Sequence, residues 1–272
     1  MIVNWIYGVP TWEMASVVIV LMLGLSLLGL VVTNRLLHLE LRQRHNEFTG
    51  FNSALIGVVF AVLLAFIAVS AWESFGKAGD TAAIEASLTG DLYRDSAAMP
   101  EPIKSELIGN LADYVDVVLT QEWPAMAIGA PISNDGWVPL AKFHRTLGSI
   151  ETVNAVQVAM VSEMLRRLNS LYDARQDRIL AAQDHIEPAV WWVVILGAGI
   201  IIGLTYLFGM ESFAMHLAMT GAVAASLALV IVLIVAFDYP FRGEVQVTPD
   251  GFHNVQHIME TAGVKFAHDA EH

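Results

Sequence analysis

Residues 51–72 read FNSALIGVVFAVLLAFIAVSAW, an apolar run without a charged residue. An uncharged apolar run longer than about 18 residues is long enough to cross a lipid bilayer as a helix. Three further runs of this kind occupy residues 14–34, 188–210 and 212–237, and none contains Asp, Glu, Lys or Arg. The sequence therefore predicts an integral membrane protein with four transmembrane helices.

The composition agrees with this prediction and excludes several other classes of protein. Of the 272 residues, 56% are hydrophobic and 15% are charged, whereas a soluble domain has about 45–50% apolar and about 25% charged residues. The net charge of −13 argues against a nucleic-acid partner, because phosphate binding needs a basic patch. The absence of cysteine excludes disulfides, thiolate metal ligands and cysteine nucleophiles.

The four runs form two hairpins that are separated by a polar region with helical periodicity. We expect an all-α integral membrane protein with a first transmembrane hairpin in residues 1–75, an extramembrane helical domain in residues 76–187, a second transmembrane hairpin in residues 188–238 and a C-terminal tail in residues 239–272. Within the extramembrane domain, helices are predicted over residues 77–98, from Pro102 onward and over residues 140–186. The last of these is expected to lead into the third span with little interruption.

The second span has two chemically different faces when it is plotted at ~100° per residue. One face is bulky and suits contact with lipid: Leu55, Val58, Val62, Phe66 and Val69. The other face is polar at both ends, and its candidate pore-lining residues are Asn52, Ile56, Phe60, Leu63, Ile67 and Ser70. This face either packs against other helices of a bundle or lines a pore, in which Phe60 forms a hydrophobic constriction.

Charged residues outside the spans offer few candidate sites. Glu73, Asp80 and Glu85 follow the second span and form either a solvated face or the cation-attracting vestibule of a pore. His253 and His257 share a helix face in the tail, but exposed tail histidines are common and no metal site is predicted. The sequence has no GxSxG, HExxH or P-loop pattern. No catalytic residue and no cofactor are therefore predicted, and the protein is not expected to be an enzyme.

The spans also argue against one class of transporter. A proton-coupled transporter usually needs buried titratable groups along its path, and the cores of the four spans contain no Asp, Glu, Lys or Arg. His216 is the only ionisable residue within the spans, and it lies within a turn of the start of the fourth.

A set of short motifs resembles the bacterial bestrophin-like family of membrane proteins. The set comprises Ala71-Trp72, Glu85-Ala86, Leu92-Tyr93-Arg94, Glu122-Trp123-Pro124 and Asp238-x-Pro240-Phe241-x-Gly243, followed by Val247, Pro249 and Phe252. Bestrophins are pentameric ion channels with two transmembrane hairpins around a cytosolic helical domain, and a Pro-Phe-Gly phrase follows their fourth span. Bestrophins continue that phrase with acids that can hold calcium. Here Glu244 and Asp250 are isolated, so no calcium clasp is expected.

The resemblance implies an oligomeric, pentameric channel for small ions in the bacterial inner membrane, with the second span lining the pore. Its expected partners are membrane lipid and further copies of the chain. The alternative is a non-conducting membrane scaffold or accessory subunit that assembles with a partner. Ion conduction favours the channel, whereas an oligomer whose axis is filled by side chains favours the scaffold.

Overall fold

The computed structural model describes residues 7–151 and 154–266, so the ends of the predicted first hairpin and tail lie outside the described residues. The described residues contain helices and turns but no strand, which confirms the all-α prediction. They divide into two compact units. The membrane unit comprises residues 7–74, 185–239 and 243–245, and the helical unit comprises residues 75–151, 154–184, 240–242 and 246–266.

The membrane unit is built from helices that are long and apolar enough to cross a bilayer, as predicted. They are α1 (Thr11–Leu36), the first part of α3 (Asn46–Ala97), α8 (Pro188–Tyr206) and α9 (Phe213–Asp238), and the short α2 (Leu39–Arg44) lies between α1 and α3. Many of their large apolar side chains are exposed on the surface of the unit. Such exposure is expected of helices whose solvent is lipid.

Glycines allow close contacts between helices of the membrane unit. The ring of Phe60 in α3 lies against α8, where a Cβ atom on Gly197 would come within 2.0 Å of it. The Tyr206 hydroxyl, at the end of α8, donates to the carbonyl oxygen of Ser26 in α1 over 2.8 Å. Gly29 lies beside that hydroxyl, and a Cβ atom there would overlap the Tyr206 ring. The helices therefore approach each other where side chains are missing.

Replacing Gly197 by alanine should destabilise the membrane unit by about 1–3 kcal/mol, the usual cost of overpacking a buried contact. Thermal unfolding of the detergent-solubilised protein measures this loss. Gly199→Ala is the matched control, because a Cβ atom at Gly199 meets no heavy atom within 4 Å. Equal unfolding midpoints for the two variants would contradict the close contact with Phe60.

Two polar side chains near the start of α3, Arg42 and Asn46, bind the backbone at the C-terminal end of α8 and just after it. Arg42 is buried, and its Nη1 donates to the Tyr206 carbonyl over 3.2 Å while its Nη2 donates to Asn34. Asn46 and the backbone of Gly209 exchange two hydrogen bonds of 3.0 and 2.8 Å. The Arg42 cation lies at the C-terminal end of α8, where the helix dipole favours positive charge.

The helical unit surrounds a separate apolar core. Its helices are the last part of α3, α4 (Ile103–Val117), α5 (Trp123–Ile128), α6 (Trp137–Gly148), α7 (Ala155–Gln183) and α10 (Asp250–Thr261). A π-helical turn, Val118–Glu122, joins α4 to α5. The largest side chains of the core include Tyr114, Trp123, Phe143, Leu168 and Phe252. Aromatic rings from four segments of the chain therefore meet in this core.

The predicted continuous helix over residues 140–186 is wrong. α6 ends at Gly148 and α7 begins at Ala155, because Asn154 caps the new helix by accepting a hydrogen bond from the Gln157 N–H over 2.9 Å. α7 ends at Gln183, and residues 184–187 are not helical. A proline disfavours helical conformation in the residue before it, so Pro188 starts a new helix. The helix predicted over residues 77–98 is the continuation of the second span within α3.

Candidate functional site

The residues predicted to line a pore do not share one environment on α3. Phe60 is 7% exposed, and its ring packs inside the membrane unit among Leu64, Val194, Ala198 and Ile234. Asn52 and Ile67 are half-buried. The prediction that Phe60 forms a pore-lining constriction is therefore corrected, because the ring packs inside the membrane unit and only 7% of the residue is exposed. Phe60 can be buried in this way because Gly197 has no side chain and leaves space for the ring.

Three of the predicted pore-lining residues remain on the surface, and we call them the α3 stripe: Ile56, Leu63 and Ser70. Ile56 and Leu63 are each 37% exposed, and Ser70 is also exposed. They are seven residues apart, which places them in one line along the helix. The line is about 21 Å long at ~1.5 Å per residue. Val58 points away from it, at ~200° around the helix from Ile56, and is also exposed.

The three candidate vestibule residues also separate into two environments. Glu73 and Asp80 are exposed on α3. Glu85 is fully buried in the helical unit, so its interpretation as a solvated or vestibule-lining residue is corrected. Two partners hold the Glu85 carboxylate: the Tyr114 hydroxyl donates to Oε1, and the Arg178 guanidinium donates to both oxygens.

Glu85 belongs to a buried network of four charged side chains and one tyrosine. Arg178 donates to Glu85 Oε1 over 3.1 Å and to Glu122 Oε2 over 2.7 Å. Arg175 donates to Glu122 Oε2 over 2.8 Å and also to Oε1, so it binds the carboxylate in a bidentate way. All four charged side chains have no exposed surface. Because the two carboxylates balance the two guanidinium groups, the network carries no net charge.

Aromatic rings enclose the two arginines of this network. The guanidinium carbon of Arg175 lies 4.6 Å from the centre of the Trp137 ring and 5.5 Å from that of Tyr114. The guanidinium carbon of Arg178 lies 5.4 Å from the centre of the Trp123 ring. Such cation–π contacts strengthen when water is excluded. The π-helical turn ends at Glu122 and holds its carboxylate in the core, so local backbone geometry positions the acid between both arginines.

The network shifts the pKa values of Glu122 and Tyr114 in directions that keep both groups in their bonded forms. Burial raises the pKa of Glu122, but hydrogen bonds and charges from Arg175 and Arg178 outweigh it, so the pKa lies below its ordinary value. Burial, together with the negative charge of Glu85, raises the pKa of Tyr114 well above its ordinary value. Glu122 therefore stays ionised, and Tyr114 keeps the proton that it donates to Glu85.

The lowered pKa of Glu122 predicts an acid-dependent loss of stability. The contribution of Glu122 is complete above the pKa of an unfolded glutamate, about 4.3, and disappears as the pH falls through the lower folded value. We expect the difference in unfolding free energy between wild type and Glu122→Gln to shrink steadily as the pH falls below about 5. Denaturant unfolding at several pH values measures it. A constant difference would contradict the ionised, paired carboxylate.

Comparison with known proteins identifies the family of the chain. A family model named Bestrophin-like domain matches residues 20–252. The chain belongs to the Bestrophin-like family. No functionally curated protein matches it. Crystal structures of a bacterial bestrophin homolog from Klebsiella pneumoniae have a similar fold: two variants of that protein each give a TM-score of 0.69 at 12% identity, covering 90% of this chain and 99% of the other. At that identity the likeness shows the fold alone.

The motif Asp238-x-Pro240-Phe241-x-Gly243 begins at the last residue of α9. Its residues make contacts that fix the position of the chain after the helix. In the membrane unit, Asp238 Oδ1 accepts a hydrogen bond from the Ile186 N–H over 2.6 Å. In the helical unit, the Phe241 ring meets Trp123 edge to face at 5.6 Å, and the Pro240 carbonyl accepts from the Val247 N–H over 2.7 Å. Gly243 has a φ of 84°, a conformation that favours glycine. These contacts give the phrase a structural role.

The isolated acids near this phrase are engaged elsewhere. Glu244 accepts a hydrogen bond from the Thr11 N–H over 2.8 Å, and Asp250 accepts one from the Thr248 hydroxyl over 2.6 Å. His253 and His257 are exposed on α10. Across residues 7–151 and 154–266, no group of three or more His, Cys, Asp or Glu side chains is arranged to hold a metal ion.

Sequence reasoning did not find the buried network of this Bestrophin-like chain, although a signal for it exists. Apolar residues of α7 recur at Leu168 and Leu171, and Arg175 and Arg178 continue the same helix face. Arginines that continue an apolar face need buried acceptors. Glu122, which the sequence marks only as part of the motif Glu122-Trp123-Pro124, is one of those acceptors.

Proposed function

We propose that this Bestrophin-like protein is a homo-oligomeric ion channel of the bacterial inner membrane, in which α3 of each copy lines a common pore for small ions. The observation that supports the proposal is the α3 stripe, three predicted pore-lining residues that the other helices of their own unit leave partly exposed. The resemblance to bestrophins favours a pentamer. Family membership supports a channel over an enzyme.

The chemistry of the α3 stripe suits a pore that opens and closes by wetting. Ile56 and Leu63 would form two apolar rings around the axis of an oligomer, about 10 Å apart at ~1.5 Å per residue. Narrow apolar rings exclude water and stop ions without a physical plug. Ser70 would add a ring of hydroxyl groups that can replace water around a passing ion.

Acidic residues on α3 provide an electrostatic feature that fits this proposal. Glu73 and Asp80 are exposed, so copies of them around an axis would raise the local concentration of cations. The chain has a net charge of −13, which acts in the same direction. No charged residue lies within the four apolar runs themselves, so ions would not cross by hopping between fixed charges.

Ion flux from liposomes tests the proposed function. Purified full-length protein is reconstituted into liposomes loaded with a potassium-, sodium- or chloride-sensitive dye, and native mass spectrometry gives the number of subunits. We expect flux of at least one ion that rises with the protein-to-lipid ratio, and a single oligomer. Protein-free liposomes are the control. A folded oligomer that passes none of the three ions would support the scaffold instead.

A further inference from the structure

The membrane unit contains an apolar cavity between α3, α8 and α9 that the proposed pore does not use. Its volume is about 470 Å³, within the range of about 300–1,000 Å³ that is usual for small-molecule sites. Most of its lining is apolar and includes Ala54, Ile201, Leu204, Phe208, Met219 and Val223. Ala54 and Met219 are exposed, so the cavity opens on the surface of the unit.

The polar groups at one side of the cavity are satisfied by each other, with one exception. His216 is 3% exposed, and its Nε2–H donates to the Thr205 carbonyl over 2.8 Å. The Thr220 hydroxyl donates to the Thr205 hydroxyl over 3.3 Å, and that hydroxyl donates to the Ile202 carbonyl. The exception is Ser53, whose Oγ is buried and has no hydrogen-bond partner.

Ser53 differs from the three hydroxyls of α3 that bond within the helix. Other hydroxyls of α3, on Thr81, Thr89 and Ser96, donate to the carbonyl four residues earlier over 2.7–2.9 Å. A buried hydroxyl without a partner costs free energy. Ser53 lines the cavity, and rotation about its Cα–Cβ bond can turn the hydroxyl toward a ligand there. The cavity therefore offers one unused hydrogen-bond donor beside an apolar volume.

We propose that this cavity binds an acyl chain of a membrane phospholipid, with the ester carbonyl oxygen accepting a hydrogen bond from the Ser53 hydroxyl. A charged ligand is disfavoured, because no Asp, Glu, Lys or Arg lines the cavity to pair with it. Ser53 stands two residues into the apolar run that begins at residue 51. The start of an uncharged apolar run is expected at the boundary of the hydrocarbon layer, so Ser53 is expected near the depth of the lipid ester groups.

Photolabelling of the full-length protein in liposomes tests the site. One arm uses phosphatidylcholine with a diazirine on one acyl chain, and the other uses palmitate with the same diazirine. Labelled peptides are identified by mass spectrometry. We expect the phosphatidylcholine probe to label the cavity-lining parts of α8 and α9 above the other lipid-facing residues. Labelling by palmitate alone, or even labelling of all spans, would overturn the proposal.

Two variants with one control separate binding from folding. Ala54→Trp fills the mouth of the cavity and should remove the enriched labelling. Ser53→Ala keeps the cavity and should reduce the labelling about five-fold, the factor that a typical net hydrogen bond is worth. Ser226→Ala is the control, because the Ser226 hydroxyl donates to its own helix at Ala222 and does not line the cavity. Undiminished labelling of both cavity variants would overturn the proposal, whether or not the protein conducts ions.

Discussion

Replacing Arg178 by methionine should lower the free energy of unfolding of the helical unit by about 3–5 kcal/mol, the usual cost of breaking a buried ion pair from one side. Methionine retains much of the side-chain length but leaves Glu85 without its bidentate partner and removes one of the two arginines bonded to Glu122. It also removes the cation from the face of Trp123. Denaturant unfolding in detergent, followed by tryptophan fluorescence, measures the loss.

The matched control for this prediction is Arg166→Met on the same helix. Arg166 pairs with Glu163 at the surface, where its side chain is 67% exposed, so its loss should cost less than about 1 kcal/mol. A second comparison replaces Arg178 and Glu85 together by apolar residues, which should recover part of the loss because no unpaired charge remains at that pair. If Arg178→Met and Arg166→Met have equal effects, the buried network is not what stabilises this unit.

A cysteine in the α3 stripe should make the proposed channel sensitive to a charged thiol reagent. The natural chain has no cysteine, so Leu63→Cys introduces the only reactive thiol. Attaching a bulky trimethylammonium group at each copy should reduce the current about ten-fold or more, because fixed charge and bulk in a narrow, low-dielectric pore raise the barrier to ions. The current is recorded in planar bilayers before and after the reagent is added.

Val58→Cys is the matched control, because Val58 is 64% exposed and lies on the other side of α3 from the stripe. Its modification should leave the current nearly unchanged. Phe60→Cys provides a further comparison, since a residue packed against α8 should react slowly. Equal block at Leu63 and Val58 would mean that the stripe does not face the ion path.

The transmembrane helices could be predicted from the sequence because the bilayer imposes a simple requirement of length and polarity. Apolar periodicity alone predicts one helix across the break between α6 and α7. Asn154, with Gln157 three residues later, is a capping pattern that indicates the break. The capping residue therefore predicts the helix break correctly, whereas the longer apolar pattern predicts a continuous helix.

The environments of Phe60 and Glu85 could not be predicted in the same way. Both lie on α3, and helical periodicity gives the direction of a side chain but not what it meets. Phe60 is buried because Gly197, far along the chain, leaves space for its ring. Glu85 is buried because Arg178, 93 residues later, neutralises it. These outcomes depend on tertiary contacts, which a single sequence does not specify.

The proposed function requires that α3 lines the axis of a symmetric oligomer. A cryo-electron microscopy map of the full-length protein in lipid nanodiscs tests it most directly, by giving the symmetry and the side chains around the axis. We expect a closed ring of subunits in which Ile56, Leu63 and Ser70 of every copy face a continuous axial path. An axis filled by packed side chains or lipid, or one lined by other helices, would contradict it.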